Sequence, residues 1–256
     1  MDVLQLRHFY ETPLGRTARR LIAARLRGLS MPPRDARVLG LGYATPWLDR
    51  YRRRVGEVFS FMPARQGVVH WPQGAPGACA LADEAALPLA DGTIDLALVA
   101  HGLELTDQLP GMLSEVWRVL APQGRMVAIV PNRRGLWARM ETTPFGHGRP
   151  FSRRQLEALL EEAHFRPLTL LPALFVPPAR NILRSAPVWE RLGSALWQGF
   201  SGVMIIEAAK QVRARPRGAR RPLAFPALKP AAASPGLGAV GHGGERAGLA
   251  SRHGES

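Results

Sequence analysis

His101 and Glu104 are the residues of this chain best suited by type to move a proton. An imidazole and a carboxylate stand three positions apart, directly after an apolar run that ends at Ala100. A second run, Val38 to Leu41, leads into Gly42-Tyr43-Ala44-Thr45-Pro46, and small residues in such a turn let backbone approach a ligand closely. An acidic pair, Asp83-Glu84, precedes Leu87-Pro88. Asn132, Arg133 and Arg134 follow a third run, and the glycine-rich loop 144–152 adds His147 and Arg149. Arginines there could pair with a carboxylate or phosphate on a substrate; the plainer reading is a solvated connection docked through Phe145 and Phe151. His70, Cys79, His101, His147 and His164 are scattered without metal-ligand spacing, and neither a Gly-x-Ser-x-Gly elbow nor a Walker loop occurs. No metal is expected.

These residues need strands to hold them. Val38 to Leu41, Glu57 to Met62, Ile94 to Ala100 and Arg125 to Val130 read as strands, with a helix from Leu109 to Leu120 ended by Pro122-Gln123-Gly124. Ser152 and Gln155 form a capping-box pattern for a further helix reaching about His164. Pro167 to Val176 and Gly202 to Ala209 read as the last strands, and between them Trp189, Leu192, Leu196 and Trp197 fall on one helical face. Near the N-terminus, Leu14 to Leu29 has helical periodicity. Alternating strands and helices imply βαβ units and a parallel sheet, whose ligands bind beyond the carboxyl ends of the strands. His101, Gly42 and Asn132 all fall there.

Composition narrows the setting. The 256 residues suit one α/β domain plus a tail. Of the net charge of +14, the stretch 213–256 carries +6, so the folded part is only moderately basic. Lysine occurs only at Lys210 and Lys229, a bias that coding composition explains as well as phosphate binding does. The single Cys79 fits a reducing compartment, and neither a secretory signal nor a span of roughly 20 apolar residues is present. The cytoplasm is the expected location.

Several segments resemble the class I S-adenosylmethionine-dependent methyltransferases, in particular the small-molecule type. Asp83-Glu84, Leu87-Pro88 and Asp91-Gly92-Thr93-Ile94-Asp95 follow that family's line at its spacing. His101-Gly102-Leu103-Glu104-Leu105 is similar to its His-x-Leu-Glu-His. Glu115-Val116-Trp117-Arg118-Val119-Leu120-Ala121-Pro122-Gln123-Gly124 is similar to its Glu-x-x-Arg-Val-Leu-Lys-Pro-Gly-Gly. The glycine loop departs from the family pattern: Gly40 replaces an acid, Ala44 the second glycine and Pro46 the third. The second strand ends in Ser60-Phe61-Met62-Pro63, without the acid that would bind a ribose.

The resemblance implies a Rossmann-like, seven-stranded, mostly parallel sheet flanked by helices, with S-adenosylmethionine as cofactor and a small or medium-sized acceptor. Its cofactor contacts would be Gly40, Gly42 and Ala44 in the loop, Met62 at the second strand's end, Asp83 at the adenine with Glu84 as a solvated companion, and His101. The acceptor pocket would use Tyr10, Asn132, His147 and Arg149. His101 and Glu104 remain candidates for catalysis, although in this family Glu104 would fix the following turn and His101 line the pocket. Tyr10 lies in a segment similar to ones that fold over the cofactor, so residues 1–34 are expected to form a helical lid, 35–212 the methyltransferase-like domain and 213–256 a disordered basic tail. Two other readings stay open. One is a non-catalytic binding or regulatory protein with weakened cofactor affinity; the other is a nucleic-acid-associated protein that uses its tail.

Overall fold

A computed structural model describes residues 1–29 and 31–212, so the tail expected at 213–256 lies outside the described residues. Seven strands form one sheet: β1 (Arg37–Gly42), β2 (Glu57–Pro63), β3 (Cys79–Ala82), β4 (Ile94–Ala100), β5 (Leu120–Pro131), β6 (Phe165–Ala173) and β7 (Val203–Lys210). Their order is β3-β2-β1-β4-β5-β7-β6, with β7 antiparallel to both neighbours and every other pairing parallel. The expected Rossmann-like sheet is therefore present. Its chain order reverses between β1 and β4, the position where such sheets bind ligands.

Alternation along the central strands divides the core in two. Val38, Leu96, Leu98, Val127, Ile129 and Ile205 face helices α1 (Val3–Glu11), α2 (Pro13–Leu26) and α3 (Thr45–Arg52). Leu39, Leu41, Ala97, Val99, Met204 and Ile206 face α4 (Leu109–Val119) and α5 (Arg153–Glu162). Because both faces are covered, β4 reads as a continuous apolar run rather than as an alternating strand.

Local chemistry sets the helix limits. Ser152 and Gln155 make the predicted capping box at α5. Asp2 and Gln5 make another at α1, a helix whose Asp-x-x-Gln signature had the same sequence-level meaning. The helix expected over Leu14 to Leu29 is α2, which Thr12 caps at Pro13 and which stops at Leu26 before Gly28; α1 is an additional helix ahead of it. A Cβ on Gly15 would lie 1.9 Å from the Phe9 carbonyl oxygen, so α1 and α2 meet closely only because that position is glycine.

The helix α6 (Ala186–Leu196) carries the predicted apolar face but leaves most of it outside the core. Trp189 packs partly against the core, but Leu192, Leu196 and Trp197 are 49%, 65% and 51% exposed. Gly193 instead packs on the Phe175 side chain, just after β6, too closely for a Cβ. No helix among the described residues is long and apolar enough to cross a membrane.

One guanidinium organises the approach to β4. Arg118 on α4 donates to the carbonyls of Leu87 and Leu89, to Asp91 and to Glu115, while Glu115 accepts from the Leu87 amide. The family-like segments 83–95 and 115–124 are therefore two halves of one network. Arg118 holds the Glu115 carboxyl below its ordinary pKa, and a lowered value means stability that is present above the unfolded pKa and lost as pH falls through the folded one. Arg118→Ala is expected to cost about 1–3 kcal/mol in urea unfolding at pH 7, with the difference from wild type shrinking toward pH 3; a constant difference would show that the pair is not the source.

Candidate active site

Four strand ends converge on the candidate site. Gly42 closes β1 at φ +74°, and a Cβ there would sit 2.4 Å from the Ala100 carbonyl oxygen at the end of β4. The Tyr43 amide donates to that same oxygen at 2.8 Å. Only glycine combines this backbone conformation with so close an approach. Ala44 follows at φ −87°, an ordinary right-handed conformation, so the missing second glycine costs no strain. Pro46 falls in the first turn of α3, where no amide donor is required. Gly40 packs beneath this loop: a Cβ would strike the Leu48 and Ser60 side chains at 2.5 and 2.9 Å. It is a packing position against α3.

Beyond β4, His101 takes φ +50° and turns its ring into the interior, where it is 1% exposed. Its Nε2 lies 2.7 Å from the Tyr10 hydroxyl, and its Nδ1 lies 3.1 Å from Glu104 Oε1. The second contact has the distance of an ion pair but not the alignment of a hydrogen bond, because Nδ1 and both Glu104 oxygens have no hydrogen-bonding partner. Tyr10, His101 and Glu104 form one buried polar line, with Tyr10 drawn in by α1. Burial, followed by the nearby Glu104, pushes the Tyr10 pKa well above the usual phenol value. Tyr10 stacks on Tyr43 with ring centroids 5.9 Å apart and meets Trp47 edge-on, so an aromatic wall seals the line from solvent.

The β2 and β3 ends furnish the other wall. Gln66 donates from Nε2 to the His101 carbonyl at 2.5 Å, and its backbone carbonyl accepts from the Val3 amide of α1 at 2.7 Å. Met62 is fully buried at the end of β2. Glu84 is only 4% exposed; it accepts from Thr106 Oγ1 and pairs with Arg65. Asp83 is exposed and accepts from the Ala85 amide, closing its own turn. Glu84, expected to be solvated, is the interior acid, and Asp83 caps its own turn at the surface. A small cavity of about 90 Å³ lies among Pro63, Arg65, Gln66, Glu84, Gly102 and Thr106.

The acceptor residues expected besides Tyr10 are not gathered with it. Asn132 donates to the Gly199 carbonyl and the Ser201 hydroxyl and accepts from the Arg134 amide, so it pins the turn before β7. His147 bonds to the Glu141 carbonyl, and Arg149 gives only its backbone amide to the site region, at the Glu104 carbonyl. Phe145 and Phe151, both buried, dock the loop as the plainer reading had it. Residues that reach the line without having been anticipated are Gln66, Tyr43, Trp47 and Phe145. The signal for Gln66 was a polar side chain three positions after Pro63, where the expected ribose-binding acid is missing.

Burial pushes the Tyr43 hydroxyl up to about 12. A raised value contributes stability that is complete below the ordinary phenol pKa near 10 and is lost as pH rises from there toward 12. Tyr43→Phe is expected to flatten the stability loss over that window by up to about 2 kcal/mol; chemical denaturation at pH 9, 10.5 and 11.5 measures it, and parallel curves would contradict the assignment.

Comparison with other proteins agrees with this fold. The model of the methyltransferase-domain family matches residues 13–170, more than half of the chain. A possible histamine N-methyltransferase from Thermotoga maritima superposes with a TM-score of 0.58 at 17% identity, covering 82% of this chain and 96% of that one. A putative methyltransferase of Haloferax volcanii, solved in complex with the Trm112 activator, gives 0.57 at 14% identity over 83% and 99% of the two chains. Geranyl diphosphate C-methyltransferase from Streptomyces coelicolor A3(2), solved with S-adenosyl-L-homocysteine, gives 0.52 at 16% identity over 75% and 78%. No curated protein matches the chain in sequence. At these identities the structural likeness is one of fold, whereas the family match spans α2 through most of β6, including the glycine turn, His101 and Glu104. The chain therefore belongs to the methyltransferase-domain family: it is a methyltransferase built on the fold of the S-adenosylmethionine-dependent enzymes.

Proposed function

We propose that this methyltransferase uses S-adenosylmethionine, acts on a small or medium-sized acceptor, and takes the acceptor's proton at His101 Nε2. The observation that carries this reading is the 2.7 Å contact between His101 Nε2 and the Tyr10 hydroxyl at the ligand-binding end of the sheet. A phenol with a strongly raised pKa keeps its proton and donates it. Nε2 is then the acceptor nitrogen, and the ring proton sits on Nδ1 beside Glu104. The Tyr10 hydroxyl occupies the position an acceptor O–H or N–H would take.

The residues present fit the cofactor in kind. Buried polar atoms without partners concentrate here: Ser60 Oγ, Gln66 Oε1, His101 Nδ1 and both Glu104 oxygens are five of the seven such atoms among the described residues. Buried polar groups are ordinarily satisfied, so this concentration suits a site that receives a polar ligand. Gly42 and Ala44 would hold the amino-acid end of the cofactor; Met62, Glu84, Gln66 and Thr106 would surround its nucleoside. When bound, it supplies a methyl group on a sulfonium with the leaving group already built in. The chain's task is to align the nucleophile, exclude water and accept one proton.

The space is not open as it stands. Ligand pockets run from about 300 Å³ upward, whereas the cavity beside Glu84 holds about 90 Å³ and α1 fills the remainder with Tyr10. Binding requires α1 to withdraw, and this gives the non-catalytic reading its one specific support. Two neighbours are named for small acceptors, histamine and geranyl diphosphate, and they favour an acceptor of that size. The lone Cys79, its thiol pushed up to about 11 by burial, is in keeping with a cytoplasmic setting.

Calorimetry with S-adenosylmethionine and S-adenosylhomocysteine tests the reading. Both are expected to bind, and Tyr10→Ala, which removes the side chain filling the site, to bind at least tenfold more tightly. Failure of both proteins to bind at millimolar ligand would leave the non-catalytic reading. With a panel of small hydroxyl and amine acceptors, His101→Gln is expected to lower methyl incorporation by about 10²–10⁴, with cofactor affinity within threefold of wild type. Undiminished turnover would remove His101 from proton transfer.

A further inference from the structure

Behind the sheet, at the opposite edge from His101, five arginines line one cleft of about 990 Å³: Arg27, Arg50, Arg52, Arg53 and Arg54. Chain direction explains the placement. Helix α2 ends just before Arg27 and leads to the start of β1; α3 ends at Arg52 and leads to the start of β2. Both therefore finish at the amino edge of the parallel strands, and the 71–73 stretch on the way to β3 closes the cleft with Trp71, Pro72 and Gln73. We propose that this cleft is a binding site for a small ligand carrying several phosphates, separate from the methyl-transfer site.

The charge balance supports it. Elsewhere Arg7, Arg37, Arg65, Arg118, Arg125 and Arg153 each meet a carboxylate. None of the five cleft arginines does so among the described residues, and Asp49 is the only acid in the lining. Two helix C-termini each present about half a negative charge. Together with Asp49 they offset about two of the five positive charges, leaving about three.

Two of these arginines are also held in place. Arg52 lies 5.4 Å from the centre of the Trp71 ring, and Arg50 lies 5.0 Å from that of Tyr51. Arg50 gives one terminal nitrogen to Met31 Sδ at 3.1 Å, a weak acceptor, and buries the other, Nη1, without any partner. A guanidinium nitrogen withdrawn from water and left unbonded is costly, and for the exposed arginines of the cleft, Arg52, Arg53 and Arg54, a phosphate oxygen is the natural complement. The volume is that of a small-molecule pocket. Converging side chains from two helix ends and one loop differ from the extended stripe that a duplex requires. Trp71, 6% exposed beneath Arg52, is not available to stack a base, so the recognition is of phosphate.

Titration of the full chain with tripolyphosphate, and separately with inorganic phosphate, tests the site. Tripolyphosphate is expected to bind at least tenfold more tightly than phosphate at low salt. Arg53→Gln with Arg54→Gln, both exposed positions, should weaken it tenfold or more without changing the thermal unfolding curve. Arg139→Gln with Arg166→Gln removes the same charge from exposed positions elsewhere and should leave the affinity within twofold. Equal losses in the two variants would reduce the effect to overall charge and overturn the proposal, as would the absence of tripolyphosphate binding. A single-stranded RNA oligomer that binds more tightly per phosphate than tripolyphosphate, equally well in the Arg53 and Arg54 variant, would overturn it too.

Discussion

The site depends on one close approach, that of Gly42 to the carbonyl of Ala100. β1 and β4 are neighbouring parallel strands, so their carboxyl ends lie side by side and the chain leaving each must turn away. Gly42 turns at positive φ with no side chain between the strands, and the Tyr43 amide ties the turn to Ala100. Both Tyr43, which stacks on Tyr10, and His101, which bonds to it, take their positions from that junction. A larger residue at position 42 would have to separate the strands at the point where the ligand side of the sheet is assembled.

The departures from the usual glycine loop are accommodated by geometry. Alanine at 44 keeps a conformation open to any L-residue, and proline at 46 stands in the first turn of a helix, where its missing donor is not needed. The changed loop is thus structurally intact. Tyr10 of α1 lies against that loop, stacked on Tyr43. A buried hydroxyl, imidazole and carboxylate in line are expensive to desolvate, and with Glu104 lacking full hydrogen bonding the line is not optimised for stability alone.

The charge of the molecule is also distributed with purpose. Arg118 is spent on carbonyls and carboxylates to hold the segment before β4, and its surroundings are balanced. The cluster at the ends of α2 and α3 is not balanced, although the residues are of the same kind. Net charge alone does not separate these cases; the position of acids and helix ends around each guanidinium does.

Much of this was legible in the chain itself. The order of strands and helices, the capping box at Ser152 and the apolar run of β4 follow from periodicity and local chemistry, because each is decided within a few residues of sequence. His101 and Glu104 stood out by type and by position after a strand, and both lie buried there. What tertiary structure alone decided are relations across long separations: Tyr10 meeting His101 over 91 positions, Gln66 meeting it over 35, Glu84 rather than Asp83 turning inward, and Asn132 bonding to Ser201 over 69. Neighbouring acids carry the same charge and propensity, so which one is buried is settled by Arg65 and Thr106, brought from elsewhere in the chain. The sequence by itself determined a mostly parallel sheet and the strand ends at its carboxyl edge, because each is set by local periodicity; the packing of α1 across that edge decided which side chains meet there.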